Sequence, residues 1–173
     1  TMNDLTFRIE SIVHHENDVI ENQLSRNQIE IIRGKASLVD PHRVVIEGKG
    51  FVTTKSADNI VLAVGTNPRH PSGFDVDGDK ILDSDDVLTM KELPRSLTVV
   101  GGGIIGVEYA SMFAVLGVHV TLIEQRKGIL TFVDREIVEA LQYHMRNLGI
   151  ILRLGEEVER VSRREDGQVE TFL

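Results

Sequence analysis

The sequence predicts an α/β protein in which a parallel sheet follows a β-rich segment, and three observations carry that expectation. From Leu97 to Leu154 extended and helical patterns alternate as β-α-β-α-β, the order that gives parallel strands joined by right-handed crossovers. A glycine-rich turn, Gly101-Gly102-Gly103-Ile104-Ile105-Gly106, connects the first of these strands to the first helix. Upstream, short extended runs follow one another with no helix between them, which is not how a doubly wound unit is built. The expected architecture is a Rossmann-type parallel sheet with a β-rich remnant of another domain.

The elements follow in order. Leu5, Ile9, Ile12, Val13, Val19, Ile20 and Leu24 recur at helical spacing between charges, so the chain opens on a helix. Ile29-Glu30-Ile31-Ile32 reads as a strand ended by Gly34. Val44-Val45-Ile46 and Phe51-Val52-Thr53 flank Gly48-Lys49-Gly50, a hairpin signal. Ile60-Val61-Leu62-Ala63-Val64 is a continuous apolar run ended by Gly65, the pattern of a strand buried on both faces. Residues 66–96 hold Pro68, Pro71 and Pro94 and read as a connector. Leu97-Thr98-Val99-Val100 is a strand, residues 107–116 a helix stopped by Gly117, and residues 118–123 a second strand ending in Glu124. Asp134 is a suitable N-cap for a helix whose apolar face holds Ile137, Val138, Leu141 and Met145, with Gly149 placed to end it. Residues 150–154 form a third strand, and Val158–Val161 and Val169–Leu173 are further short strands.

Composition excludes several function classes. The 173 residues suit one domain, or one domain plus part of another, at roughly 100–200 residues each. No cysteine is present, so this stretch holds neither a zinc-thiolate site nor a thiol nucleophile. With 19 Lys+Arg against 27 Asp+Glu, the net charge of -8 argues against a nucleic-acid or anionic-membrane partner. No apolar run approaches the ~20 residues of a membrane span, and Thr1-Met2-Asn3-Asp4-Leu5 has no signal-peptide character. A cytoplasmic protein is expected.

The chemistry concentrates at the glycine turn. Gly101, Gly103 and Gly106 fit the spacing of a dinucleotide-binding turn: tight reversal, close approach of the backbone to a pyrophosphate, and close helix packing. The phosphates would sit at the positive end of the following helix. Glu124, 18 residues after Gly106, stands where a carboxylate accepts hydrogen bonds from the adenosine ribose. A carboxylate there repels a 2′-phosphate and favours NAD; Arg126 and Lys127 follow at once, either as solvated loop charges or as partners for that phosphate. Glu108 lies early in the helix, where the dipole alone could account for it. Asp75, Asp77, Asp79 and Asp86 imitate a calcium loop, but Lys80 stands where its glycine belongs, so they read as an acidic, turn-rich connector. His14, His15, His42, His70, His119 and His144 show no metal-ligand spacing, and no metal site is expected.

The stretch Leu93-Pro94-Arg95-Ser96-Leu97-Thr98-Val99-Val100 through Glu108 resembles the entrance to the NAD(P) domain of the two-dinucleotide flavoproteins, the pyridine nucleotide-disulfide oxidoreductase family. Residues 60–65 resemble that family's exit from the FAD domain, and residues 81–88 its connector. Within the family, residues 108–117, 136–148 and 154–158 most resemble the transhydrogenase branch, in which no cysteine pair is required. The resemblance implies FAD-dependent hydride transfer between NADPH and NAD. The alternatives are a dihydrolipoamide dehydrogenase-like disulfide reductase and a nucleotide-binding module without catalysis of its own. It implies FAD, NAD(H) and NADP(H) as cofactors, and a full-length homo-oligomer whose only other partners are small-molecule nucleotides.

By motif, Gly101, Gly103, Ile104, Ile105 and Gly106 would line the nucleotide, with Ile104 bordering the nicotinamide pocket. Glu108 would lie near the carboxamide as the catalytic residue, Glu124 would bind the adenosine ribose, Arg126 would tolerate its 2′-phosphate, and Gln125 between them would be a further cofactor-binding residue. Ala36, Gly65 and Thr66 would meet FAD, although Val64 replaces the family's usual threonine. The family's first glycine motif is absent, so the resemblance makes this chain a fragment. Residues 1–88 would be the end of the first FAD-domain segment plus the connector, and residues 89–173 an NAD(P)-binding domain truncated before its sheet closes.

Overall fold

The helical spacing at the start of the chain forms α1, Met2–Arg26. The computed structural model describes residues 2–173, with side chains from Phe7 onward, so the side chain of Leu5 lies outside the described residues. Of the expected stripe, Ile9, Val19 and Leu24 are half-buried, whereas Ile12, Val13 and Ile20 are exposed.

Residues 4–67 form one compact unit and residues 68–173 fall in another. In the first, β1 (Lys35–Asp40), β2 (Arg43–Gly48) and β3 (Phe51–Ser56) make an antiparallel sheet in that order. The expected hairpin is present: Gly48 pairs with Phe51, leaving Lys49 and Gly50 as the turn. Two expectations are corrected. Ile29–Ile32 is irregular, and the strand begins at Lys35 instead. Ile29–Ile32 has no strand to pair with among the described residues, and at Gly34, just before β1, a Cβ would stand 2.7 Å from the Glu47 carbonyl oxygen. The run Ile60–Val64 is likewise irregular rather than a buried strand, with Val61 and Val64 each 87% exposed. Among the described residues it has no strand to pair with, and of the run only Ile60 is half-buried.

In the second unit β4 (Ser96–Val100), β5 (His119–Glu124) and β6 (Ile151–Leu154) form a parallel sheet with β5 in the middle. Ser96 pairs with His119 and Thr121 with Ile151. The crossovers are α2 (Ile104–Val115) and α3 (Arg135–Asn147). α2 starts three residues earlier than the pattern predicts, because the Gly103 carbonyl already accepts the Val107 N–H at 3.0 Å. Asp134 caps α3 by accepting the Glu136 N–H at 2.9 Å, and Gly149, at φ +85°, follows its C-terminus.

The core sits between sheet and helices. Val120 and Leu122 of β5 meet Val107, Ala110 and Phe113 of α2, and Val138 and Met145 of α3. A central strand in a parallel sheet is covered on both faces, which explains why Val120, Leu122 and Ile123 are all buried although they are divided between the two faces. The chain ends in an antiparallel hairpin, β7 (Arg160–Arg163) with β8 (Val169–Phe172). In the connector, Asp77 accepts the N–H groups of Asp79, Lys80 and Ile81 and pairs with Arg163. Burial pushes its carboxyl up, but those backbone donors outweigh it and hold it at about 2. The acidic cluster is thus tied into the loop's own backbone.

Candidate functional site

The site forms where β4 gives way to α2. Gly101 holds φ +111°, a conformation that side chains rarely adopt, and its N–H donates to the Ile123 carbonyl at 2.8 Å. This bends the chain off the end of β4 while binding it to β5. At Gly106 a Cβ would lie 2.0 Å from the Gly101 carbonyl oxygen, so only glycine lets α2 pack this close to the turn. At Gly103, the N-cap of α2, a Cβ would meet nothing within 4 Å. The space there is open, at the end of α2 where the first-turn N–H groups have no intrahelical acceptor. These are the features of an anion seat: donors, a favourable dipole and room for backbone approach.

Glu124 closes β5 beside this turn and is 3% exposed. Its Oε2 accepts the Gly102 N–H at 2.7 Å and Arg126 Nη2 at 3.0 Å. Its Oε1 accepts the Arg126 backbone N–H and Nε, both at 2.8 Å. The Arg126 side chain, followed by the two backbone donors, outweighs burial and holds the Glu124 carboxyl at about 2. Glu124 is therefore an ionised, buried acceptor at neutral pH. Arg126 stays cationic, its pKa raised by the same pair, and also reaches Thr131 Oγ1 at 3.2 Å.

The remaining predicted residues divide. Ile104 and Glu108 lie one turn apart on α2 and line an open apolar groove with Val107, Met112, Leu130 and Phe132. Ile105 and Gln125 are exposed beside the turn and the Glu124–Arg126 pair. Ala36, Gly65 and Thr66 belong to residues 4–67 and are all exposed. Two supports of the turn escape the sequence reading. Gly102 has no room for a side chain, since a Cβ would stand 2.7 Å from Ile129 Cγ2, and it donates to Glu124. Leu130, at φ +45°, donates its N–H to the Gly102 carbonyl at 2.9 Å. The middle glycine of a run of three was a usable signal; nothing in the sequence marks Leu130.

The sequence profile of the Pyridine nucleotide-disulphide oxidoreductase family matches residues 3–173. The chain belongs to this family. It is 45% identical over 171 residues to a soluble pyridine nucleotide transhydrogenase of Mycobacterium tuberculosis, covering 98% of this chain and 36% of that protein. It is 40% identical over 173 residues to the enzyme of that name from Colwellia psychrerythraea, covering 95% of this chain and 37% of that one. The chain thus spans a little over a third of the length of these relatives. The crystal structure of LpdA from Mycobacterium tuberculosis shares the fold, with a TM-score of 0.89 over 99% of this chain and 40% of that one at 24% identity. The HOCl-induced flavoprotein disulfide reductase RclA from Escherichia coli superposes with a TM-score of 0.72 at 30% identity, over 92% of this chain and 38% of that one. Among the described residues no helix is long and apolar enough to cross a membrane.

Proposed function

We propose that this chain supplies the NAD(P)-binding part of an FAD-dependent transhydrogenase that moves hydride between NADPH and NAD. The observation that carries the reading is the buried, ionised Glu124 bonded to the glycine turn, beside open space at Gly103. The first turn of α2 would take the pyrophosphate, through N–H groups that need no reorganisation. Glu124 would take the adenosine ribose, since a carboxylate is the natural acceptor for two hydroxyls. Arg126 would offer its guanidinium to a 2′-phosphate. Ile104 and the groove beside it would exclude water from the nicotinamide face, with Glu108 accepting from the carboxamide. The relatives' printed names support the transhydrogenase branch over a disulfide reductase.

The residues present do not by themselves fit FAD. Ala36, Gly65 and Thr66 are exposed, and a Cβ added at Gly65 would meet nothing within 4 Å, so no enclosed flavin cradle is built from them. In the longer protein the flavin would supply a two-electron carrier between the two nicotinamides. The chain on its own is expected to bind nucleotide, to lack the flavin's visible absorbance and to transfer no hydride.

Calorimetric titration with NADH and with NADPH tests the reading. Binding of both in one concentration range is the expected result. Binding of NADH alone would favour the dihydrolipoamide dehydrogenase-like alternative, and binding of neither would remove the chain from the nucleotide-binding role.

A further inference from the structure

We propose that Arg126 is a self-held gate on the ribose seat: its guanidinium occupies the two acceptor positions of Glu124 that a ribose diol would use, and leaves as the dinucleotide enters. This rests on the dinucleotide reading above and adds how the site chooses between nucleotides.

A carboxylate offers about four acceptor positions, two on each oxygen. All four are taken at Glu124. Two partners are backbone N–H groups, of Gly102 and of Arg126 itself, and both are fixed by the chain. The other two are Nε and Nη2 of Arg126, one on each oxygen. A ribose diol also brings two donors. It cannot be accepted while the guanidinium stays, and it replaces the guanidinium bond for bond once that group swings out.

The geometry allows the exchange. Glu124 is buried, but the Arg126 side chain is 49% exposed, and beyond Glu124 its guanidinium holds, among the described residues, only Thr131 Oγ1 at 3.2 Å. The acid is the fixed half of the pair and the arginine the movable one. Once displaced, the cation stands at the rim of the ribose seat. With NAD(H) it gains only solvent, so breaking the pair works against binding. With NADP(H) the 2′-phosphate receives it in a charge-assisted pair. Arg126 therefore weakens one nucleotide and strengthens the other, which narrows the preference that Glu124 alone would impose.

The test is calorimetric titration of the chain, and of its Arg126→Ala and Arg126→Gln variants, with ADP-ribose and with 2′-phospho-ADP-ribose. Both probes lack the nicotinamide, so they report the ribose seat alone. Arg126→Ala is expected to bind ADP-ribose about 3–10-fold more tightly and 2′-phospho-ADP-ribose about tenfold or more weakly. Arg126→Gln, which keeps a neutral donor of similar shape, should shift both in the same directions by less, and serves if the alanine variant does not fold. In the unmodified chain, ADP-ribose should move the Arg126 Nε–H resonance and speed its exchange with water. Affinities for the two probes that fall together, or do not change, would overturn the gate, as would an Nε–H signal unmoved at saturation. The two readings fail separately: no binding of either probe by the unmodified chain removes the dinucleotide site, whereas binding without divergence among the variants removes only the gate.

Discussion

Glu124 and Gly106 each have one role that a substitution isolates. At Gly106 any side chain meets backbone, since its Cβ would stand 2.0 Å from the Gly101 carbonyl oxygen. Gly106→Ala is expected to cost about 1–3 kcal/mol, as overpacking does, and to abolish nucleotide binding by pushing α2 off the turn; urea midpoints and calorimetry read the two effects. The Glu124 carboxyl falls from an ordinary 4.5 to about 2 in the fold. A depressed carboxyl contributes stability that is fully present above the unfolded value and is lost as pH falls through the folded one. Glu124→Gln is therefore expected to be less stable than the unmodified chain by about 2–3 kcal/mol at pH 7, with the gap closing between pH 4.5 and 2. Urea midpoints against pH for both proteins check this, and the similar acid response of Asp77 cancels in the difference. The residue types of this site were readable because glycine spacing and a strand-ending acid are local signals. That Arg126 saturates Glu124 was not readable, because it depends on where a side chain folds back.

At the scale of elements, stability is set by caps and partners. Asp134 accepts the Glu136 N–H at 2.9 Å at the start of α3. Asp134→Ala is expected to lower stability by about 1 kcal/mol, through the loss of an N-cap, and Asp134→Ser to restore most of it; thermal unfolding of the three proteins decides. The elements between Leu97 and Leu154 were legible because the β-α-β alternation, the caps and the glycines all agree. Ile29–Ile32 and Ile60–Val64 were misread for one shared reason. Hydrophobic runs predict strands only where a partner is in reach, and neither run pairs with a strand among the described residues. β1 was missed because Lys35–Asp40 is nearly all exposed and carries no clean alternation.

Over the whole molecule, burial is uneven. Among the described residues, the largest fully buried side chains, Leu122, Ile129, Met145 and Val120, all belong to residues 68–173. Native-state hydrogen exchange is expected to leave the amides of Val120, Leu122 and Ile123 protected longest, with those of Val61–Thr66 exchanging at once. Uniform protection across both units would contradict that picture. The most direct test of the central claim, that the glycine turn and Glu124 form a dinucleotide seat, is a titration of the 15N-labelled chain with NADH, followed residue by residue. The amides of Gly102, Gly103, Ile104, Ile105 and Arg126 should shift together and saturate at one concentration. Shifts confined to other residues, or none at saturating NADH, would contradict the account.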